Sequence, residues 1–386
     1  MNISKSKLRQ LFLVAGESVL ITAITVFAVV PVSCKITEQG VKILGGDYVP
    51  PVLNEFVVID ENTLQLDFSE KVEVCGYVAA KVVDDLFDSD EHSSTFDLSP
   101  ALERASGVYG SVSCSVNTSE EGNVLTFIFE QQMEIGQAYE LYAEVKDSIG
   151  NSLTLAVPFV GFNSRVPELL ITELQTESVS QRSAEKKAGI YRNEFVEILV
   201  LKAGNLAGLE LCSGYDGETK KFSFPAIDVN AGEVFVVHMR NRGEGCISEI
   251  DDNLDLAFSS YANPGIRDLW TDIESTTLGN KTDIIILRNR ADKRLLDAVM
   301  FRASDVEAWT KTMPEYSRLI DESGIYESGD IENAFISDGL SAARTMARID
   351  AAEIQEKVLA GESLEFPVKS NPEVWTIILE GTPGTL

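Results

Sequence analysis

Residues 193–204, NEFVEILVLKAG, decide the fold of the second half of this 386-residue chain. In an extended strand, successive side chains point to opposite faces. One face would carry Phe195, Glu197 and Leu199, and the other face would carry only aliphatic side chains. Aliphatic residues dominate the run and a glycine closes it, which favours a strand that ends at Gly204.

Glu197 is the residue of this run that does not fit an apolar face. A carboxylate among apolar neighbours costs free energy unless it is paired or hydrogen-bonded. Glu173, in the stretch LLITELQ, has a similar setting. Two such acids on adjacent strands could form the acid and base pair of a glycosidase. The alternative is a pair of hydrogen-bonded structural carboxylates.

The remainder of the second half continues the strand pattern. Residues 282–301, TDIIILRNRADKRLLDAVMF, place two apolar runs around a polar centre, which predicts a β-hairpin. Residues 178–192 are polar and compatible with a helix, which predicts an inserted loop.

Several short motifs follow one another in a fixed order along this half. They are ITE, NEFVEI, AGLEL, FPAIDVNAGEVFVV, GNKTDIIILRN with LLDAVMF, ARI and VWTIILEGTPG. The series resembles the lamin-tail family, an Ig-like β-sandwich, and spans residues 166–386. Loops near 178–192, 247–277 and 303–365 enlarge this copy. The family pattern carries acids at the positions of Glu173 and Glu197 in modules with no shared reaction, which favours structural roles for both.

The first half also alternates apolar and polar residues in short runs separated by turns. NTLQLDFSEKVEV and YELYAEVKDSIGN resemble the opening and closing motifs of S-layer-type bacterial Ig-like domains, and this resemblance covers residues 50–162. The expected fold class is therefore all-β, with two Ig-like antiparallel β-sandwich domains in tandem. The second domain, residues 163–386, would be enlarged by loops with short helices.

The first 33 residues have the pattern of an export signal. A basic start is followed by an apolar run and a small residue before the expected cut. Pro31-Val32-Ser33-Cys34 resembles a bacterial lipobox, although Pro31 replaces the preferred aliphatic residue. The resemblance implies a lipoprotein signal peptide over residues 1–33, lipid attachment at Cys34 and a flexible tether over residues 34–49. An ordinary secretory signal and an uncleaved anchor are the alternatives.

Four cysteines remain if Cys34 carries lipid: Cys75 and Cys114 in the first domain, and Cys212 and Cys246 in the second. Exported chains fold where disulfides persist, so one disulfide within each domain is a candidate. Buried free thiols are the alternative.

The chain is strongly acidic, with a formal net charge of −29. Nucleic-acid binding depends on Lys and Arg that neutralise phosphates, so nucleic acid is not an expected partner. The densest basic spot, a weak candidate binding patch, comprises Arg288, Arg290, Lys293 and Arg294. A second spot comprises Arg182, Lys186, Lys187 and Arg192.

Catalytic and metal-binding motifs are missing from the sequence. The chain has two histidines, His92 and His238, and lacks G-x-S-x-G, H-E-x-x-H and C-x-x-C. The acidic runs 84–92 and 249–255 could offer oxygens to calcium, but the EF-hand order is missing and solvated loops are favoured. No metal and no cofactor are expected.

The expected protein is a non-enzymatic binding or scaffolding module of the bacterial cell envelope. It would be exported and held at the membrane, with the outer membrane favoured, through the lipid on Cys34. Its loops would bind a protein or glycan partner, with Tyr261, Trp270 and Trp309 either contacting that partner or packing the loops onto the sheet. The alternatives are a surface adhesin for host or matrix protein and a carboxylate-dependent, glycosidase-like hydrolase.

Overall fold

A computed structural model of the chain describes residues 33–37, 40–44, 49–82, 111–176 and 179–386. The residues of the predicted signal peptide before Ser33 and the acidic run 84–92, with His92, lie outside the described residues. The chain divides into two compact units after Val160, with Glu134–Gln137 grouped with the second unit. Across the residues that the structure describes, none of the helices has the length and apolar composition that a membrane span requires.

The described residues of the first unit form ten strands, which begin with a two-stranded hairpin, β1-β2. Two four-stranded antiparallel sheets follow, ordered β3-β4-β8-β7 and β10-β9-β5-β6. The bounds are β1 Ser33–Thr37, β2 Gly40–Leu44, β3 Leu53–Asp60, β4 Thr63–Phe68, β5 Glu73–Lys81, β6 Ser111–Val112, β7 Cys114–Thr118, β8 Val124–Phe129, β9 Ala138–Lys146 and β10 Ser152–Val160.

Alternation of buried and more exposed residues along β4, β8, β9 and β10 builds a sandwich with solvated outer faces. In β4, Leu64, Leu66 and Phe68 are buried, while the residues between them are partly exposed. Leu125 of β8 and Leu141 of β9 join them in one core cluster between the sheets. This pattern is typical of antiparallel sheets that bury one face only.

The turn between β9 and β10 depends on one carboxylate. Asp147 Oδ1 accepts hydrogen bonds from the backbone N–H groups of Ile149, Gly150 and Asn151, at 2.8, 2.6 and 2.9 Å. Burial would raise the pKa of Asp147, but these bonds and the Asn151 side chain hold it below its ordinary value. Gly150 has a φ of 99°, which a residue with a side chain rarely adopts. The motif KDSIGN therefore encodes this turn.

In the part of the second unit that the structure describes, there are thirteen strands and three α-helices. The bounds are β11 Glu168–Gln175, α1 Val179–Ala188, β12 Phe195–Lys202, β13 Gly204–Asn205, β14 Leu209–Ser213, β15 Phe222–Ser223, β16 Asp228–Val229, β17 Val234–His238, β18 Arg267–Trp270, β19 Asp283–Asn289, β20 Leu295–Arg302, α2 Met313–Ser323, β21 Phe335–Ile336, β22 Thr345–Arg348, α3 Ala351–Leu359 and β23 Trp375–Ile378.

Two large sheets face each other in this unit. The six-stranded sheet has the order β18-β17-β12-β11-β22-β23 and the five-stranded sheet has the order β15-β14-β19-β20-β21. Val196 and Ile198 of β12 pack with Ile285 of β19 and Val299 of β20 in the core between them. The pairs β17-β18 and β20-β21 are parallel, and the other pairs in both sheets are antiparallel.

Both outer faces of this sandwich are also covered. On one side, Leu199 of β12 packs against Ile354 and Val358 of α3. On the other side, Ile286 of β19 packs against Tyr316 of α2. The second unit therefore has four layers, helix–sheet–sheet–helix, and its central strands are buried on both faces.

The structure confirms an all-β fold with two sandwiches, the second enlarged by short helices. The two faces predicted for residues 193–204 and the hairpin over 282–301 are present as β12 and β19-β20. The enlarged region 303–365 contains α2 and α3, which cover the outer faces of the sheets.

Candidate functional site

Glu173 and Glu197 lie directly opposite each other on β11 and β12. Both side chains are buried, and their oxygens accept hydrogen bonds from inside the protein. Glu197 accepts from the Thr172 hydroxyl and the Gly384 N–H, both at 2.6 Å. Glu173 accepts from the Thr345 hydroxyl and from the backbone and hydroxyl of Thr382.

Residues 381–384 therefore lie directly against the acid pair and donate hydrogen bonds to the oxygens of both side chains. Burial raises the pKa of Glu197 to about 7, the Thr172 hydrogen bond opposes this rise, and the charge of Glu173 adds to it. Burial also raises the pKa of Glu173. The geometry is that of two structural carboxylates that fix residues 381–384 to the sheet.

His238 is a packed residue at the end of β17. Its Nε2 lies 2.6 Å from Asp268 Oδ1, and its ring stacks on Trp270 with centroids 3.6 Å apart. The imidazole is fully buried, and burial lowers its pKa despite the neighbouring carboxylate of Asp268. Trp270 is therefore not a loop residue but the last residue of β18, and its side chain is buried within the sheet and not presented to solvent.

The prediction of a basic patch was wrong for Arg288, which is a buried residue. It is 1% exposed and its guanidinium forms ion pairs with Glu210 at 3.1 Å and Glu218 at 2.5 Å. Lys221 Nζ lies 2.7 Å from the other oxygen of Glu210. Arg288 is the last buried residue of β19, so its side chain meets the acids of neighbouring elements and does not meet solvent.

The other residues of that patch, Arg290, Lys293 and Arg294, are exposed around the tip of the β19-β20 hairpin. Arg294 Nε lies 3.9 Å from Asp292 Oδ2, which offsets part of the positive charge. The structure therefore does not bring the four predicted basic residues together on one surface.

The four cysteines of the two predicted disulfides, Cys75, Cys114, Cys212 and Cys246, are free thiols in the structure, so neither predicted disulfide is present there. Cys212 is buried against α2 on the outer face of the five-stranded sheet. Cys246 lies instead near Ser259, with 3.4 Å between its Sγ and the Ser259 Oγ. Cys75 is exposed on β5, while Cys114 packs against the first core.

The acidic run 249–255 is organised around Glu249, which points inward. Its carboxylate accepts hydrogen bonds from the N–H groups of Leu256, Ala257 and Asp268, at 2.9, 3.1 and 2.9 Å. Within the described part of the chain, no group of three or more His, Cys, Asp or Glu side chains has an arrangement that could hold a metal ion.

A cleft of about 650 Å³ opens beside α1. Four basic and two acidic residues lie among its ten lining residues, although the chain as a whole has a net charge of −29. We name it the basic cleft. Its lining residues are Arg182, Glu185, Lys186, Gly189, Tyr191, Arg240, Arg242, Glu274, Ser275 and Thr276.

One buried ion pair fixes α1 against the sandwich. Arg240 follows β17 and its two terminal nitrogens lie 3.0 and 3.2 Å from the carboxylate of Glu185. Both side chains are buried, and Glu185 also accepts from the backbone N–H of Arg192 at 2.8 Å. The pair closes the floor of the basic cleft and leaves Lys186, the next residue of α1, exposed.

Residues 189–192 separate the basic cleft from a second cleft of about 750 Å³. We name residues 189–192 the ridge. Gly189 and Tyr191 line the basic cleft, while Ile190 and Arg192 line the second. The second cleft is lined further by Ser260, Tyr261, Ala262, Asn263, Ala343, Leu379, Glu380, Gly381, Thr382, Pro383 and Thr385.

Tyr261 connects the second cleft to the core. Its ring contacts Phe195 edge-on, with centroids 5.2 Å apart, and its φ of 71° is rare for a residue with a side chain. Asn263 donates a hydrogen bond to the Pro383 carbonyl and so joins this loop to residues 381–384. Trp309, by contrast, donates to the Gly329 carbonyl at 2.8 Å and packs beside α2.

The sequence indicated the basic residues that α1 contributes to the cleft, but not those that follow β17. Arg182 and Lys186 belong to the second basic spot. Arg240 and Arg242 were missed because they follow β17 by only a few residues and their acidic neighbour Glu185 is distant in sequence. A signal was present in the stretch HMRNR, where two arginines alternate beyond a buried strand.

These features define a class of protein: a chain of β-sandwiches whose second unit has covered outer faces and clefts among its loops. The family model described as "TP_1001_2nd: protein second domain" matches residues 167–377, more than half of the chain. The chain belongs to this family.

An uncharacterized protein of Treponema pallidum (strain Nichols) is 28% identical over 230 residues, 58% of this chain and 54% of that protein. The chain thus spans about half the length of this curated relative. Two solved structures are also similar. The N-terminal part of the S-layer protein SbsC has 17% identity, covers 49% of this chain and 40% of that chain, and has a TM-score of 0.22. A DUF4876 family protein from Bacteroides thetaiotaomicron has 10% identity, covers 71% and 82%, and has a TM-score of 0.26.

The buried ion pairs of Arg288 predict a stability effect. Arg288→Ala would leave Glu210 buried with fewer partners, so we expect the free energy of unfolding to fall by about 3–5 kcal/mol. The matched control Arg290→Ala, at the exposed hairpin tip, should change it by less than about 0.5 kcal/mol. Urea denaturation of both variants measures the difference, and equal small effects would show that Arg288 is not part of a buried network.

The raised pKa of Glu197 predicts a pH effect with a defined sign. The folded carboxyl keeps its proton up to about pH 7, whereas its ordinary pKa is 4.5. The stability it contributes is therefore complete below about pH 4.5 and is lost as the pH rises through 7, by roughly 3 kcal/mol at most. Glu197→Gln removes this titration. Chemical denaturation from pH 4.5 to 8 should give a smaller loss for the variant than for the wild type, and parallel curves would refute the assignment.

Proposed function

We propose that this chain is an exported, lipid-anchored protein of the bacterial cell envelope that binds a protein or glycan partner without catalysing a reaction. The export signal and the lipobox-like sequence before Cys34 support the location. The acidic charge of the chain supports a soluble domain held outside the membrane and argues against nucleic acid as a partner. The ordered motifs over residues 166–386 support a relationship to lamin-tail domains.

The positions of the ionisable side chains and of the two clefts support a binding role. The described ionisable side chains that could suggest catalysis, Glu173, Glu197 and His238, are buried and engaged by internal partners. The two clefts beside the ridge lie instead among inserted loops on a rigid sandwich. Loops positioned by a rigid scaffold are where binding residues concentrate.

An adhesin for host or matrix protein is the surface-exposed form of the same proposal. It requires the second domain to face outward from the outer membrane. Protease treatment of intact cells distinguishes the two forms, because cleavage of the second domain supports the adhesin and complete protection supports a periplasmic partner.

The lipid anchor predicts the distribution of the protein between cell fractions. The wild-type chain should stay with membranes in detergent-free buffer and be released by detergent, whereas Cys34→Ser should be soluble. Cys246→Ser, which leaves the lipobox intact, is the matched control and should stay with membranes. A Cys34→Ser variant that remains in the membrane fraction would refute lipid attachment at this residue.

We expect the partner to contact the protein at the ridge. A photo-crosslinking amino acid in place of Ile190, whose side chain is 60% exposed, should form a specific adduct in envelope preparations. The matched control is the same substitution at Leu359 at the end of α3, which is 67% exposed. Identical adducts from both positions, or adducts from position 359 alone, would contradict a binding face at the ridge.

A further inference from the structure

We propose that the basic cleft binds a small ligand, or the end group of a larger one, that carries one or two oxyanion groups, such as a phosphate ester or a dicarboxylate. This inference rests on the proposed function, because it names the chemistry recognised at the same loop face. Three observations support it: the local charge, the arrangement of the cations, and the size of the cleft together with the charge of the surrounding surface.

The first step is the local charge. Arg240 and Glu185 neutralise each other in the floor of the cleft through two short contacts. Beyond this pair, the lining carries Lys186 and Arg242 against Glu274, an excess of one positive charge, and Arg182 is a further cation that has an interaction of its own. In a chain with 61 acidic and 32 basic residues, such an excess within one concave site favours an anionic ligand.

The second step is the arrangement of the cations. The Arg242 guanidinium carbon lies 4.7 Å from the centroid of the Tyr191 ring, so a cation–π contact holds the guanidinium in place. A guanidinium held over its face still presents its N–H edge, which matches carboxylate and phosphate oxygens. Tyr191 itself is supported from behind by Gly243, where an added Cβ would lie 3.2 Å from the ring.

Across the cleft, Arg182 and Lys186 are four residues apart on α1 and therefore lie on the same helix face. The buried ion pair of Glu185 fixes that face relative to the end of β17. Cations from two separate elements are thus held at one site before a ligand binds, which reduces the entropy lost on binding. Ser275 and Thr276 add hydroxyl groups to the same lining.

The third step concerns size and selectivity. A volume of about 650 Å³ is within the range of pockets for small molecules. A long polyanion would have to leave the cleft and cross the surface of a protein with a net charge of −29. The charge of the whole molecule therefore selects against polyanions, while the cleft accepts a ligand with one or two anionic groups.

Isothermal titration calorimetry on the full chain, purified in detergent, tests the proposal. The probes are inorganic phosphate, glucose 6-phosphate, succinate, glucose and a heparin oligosaccharide. We expect saturable binding of glucose 6-phosphate or of succinate, and the stronger of these two shows whether phosphate esters or dicarboxylates are preferred. Glucose should not bind, and added salt should weaken the binding of the anions.

Variants locate the site. The double variant Lys186→Ala/Arg242→Ala should weaken binding at least about ten-fold, since charge-assisted hydrogen bonds are lost. Arg242→Lys keeps the charge but loses the planar fork, so it should fall between the wild type and the double variant. Arg290→Ala, an exposed arginine outside the cleft, is the matched control and should bind as the wild type does.

The proposal is overturned if no anionic probe binds, if the double variant binds as well as the wild type, or if Arg290→Ala weakens binding equally. Tight heparin binding without binding of the small anions would also overturn it. These outcomes are separable from failure of the proposed function. A crosslink from position 190 without anion binding would refute only the ligand class, and anion binding without any crosslink would refute the macromolecular partner.

Discussion

Burial of the central strands on both faces is the constraint on which the second unit depends. β12 is buried from Phe195 to Leu201, and β19 and β20 are almost as completely enclosed. A sandwich alone covers only the inner face of each sheet. α2 and α3 cover the outer faces through Tyr316 and Ile354, so the inserted region 303–365 is part of the core.

The same burial determines the roles of the ionisable residues. A charged group inside such strands is costly unless it finds partners, and the partners must come from the protein. Glu197 and Glu173 therefore hold residues 381–384, Arg288 joins Glu210, and His238 joins Asp268. Residues that suggest chemistry in the linear sequence thus become structural, which is why we propose the loops around the ridge as the recognition surface.

Local patterns in the sequence predicted the structural features that involve only one or two strands. The alternation in residues 193–204 predicted both faces of β12, and the polar centre of residues 282–301 predicted the β19-β20 hairpin. The lamin-tail resemblance favoured hydrogen-bonded structural roles for Glu173 and Glu197, and both side chains accept hydrogen bonds from inside the protein. These inferences succeeded because strand periodicity and the cost of a buried carboxylate are properties of a few neighbouring residues.

The features that the sequence did not predict depend on contacts between residues that are distant in sequence. Arg288 looked like part of a basic patch because its partners, Glu210 and Glu218, are about 70 or more residues away in sequence. Cys212 and Cys246 have suitable spacing for a disulfide, but one faces α2 and the other lies beside Ser259. The basic cleft combines residues of α1 with the segment after β17 and residues 274–276, which no local pattern connects.

The central claim is that the central strands are a structural scaffold and that the ridge with its basic cleft is the recognition surface. Hydrogen–deuterium exchange of the full chain, with and without saturating glucose 6-phosphate, tests it most directly. The account predicts slower exchange in residues 182–192 and 240–242 on ligand addition, with the slow exchange of β12 unchanged. Protection centred on β11, β12 and residues 381–385 would contradict it, because the buried acid pair would then be the binding site.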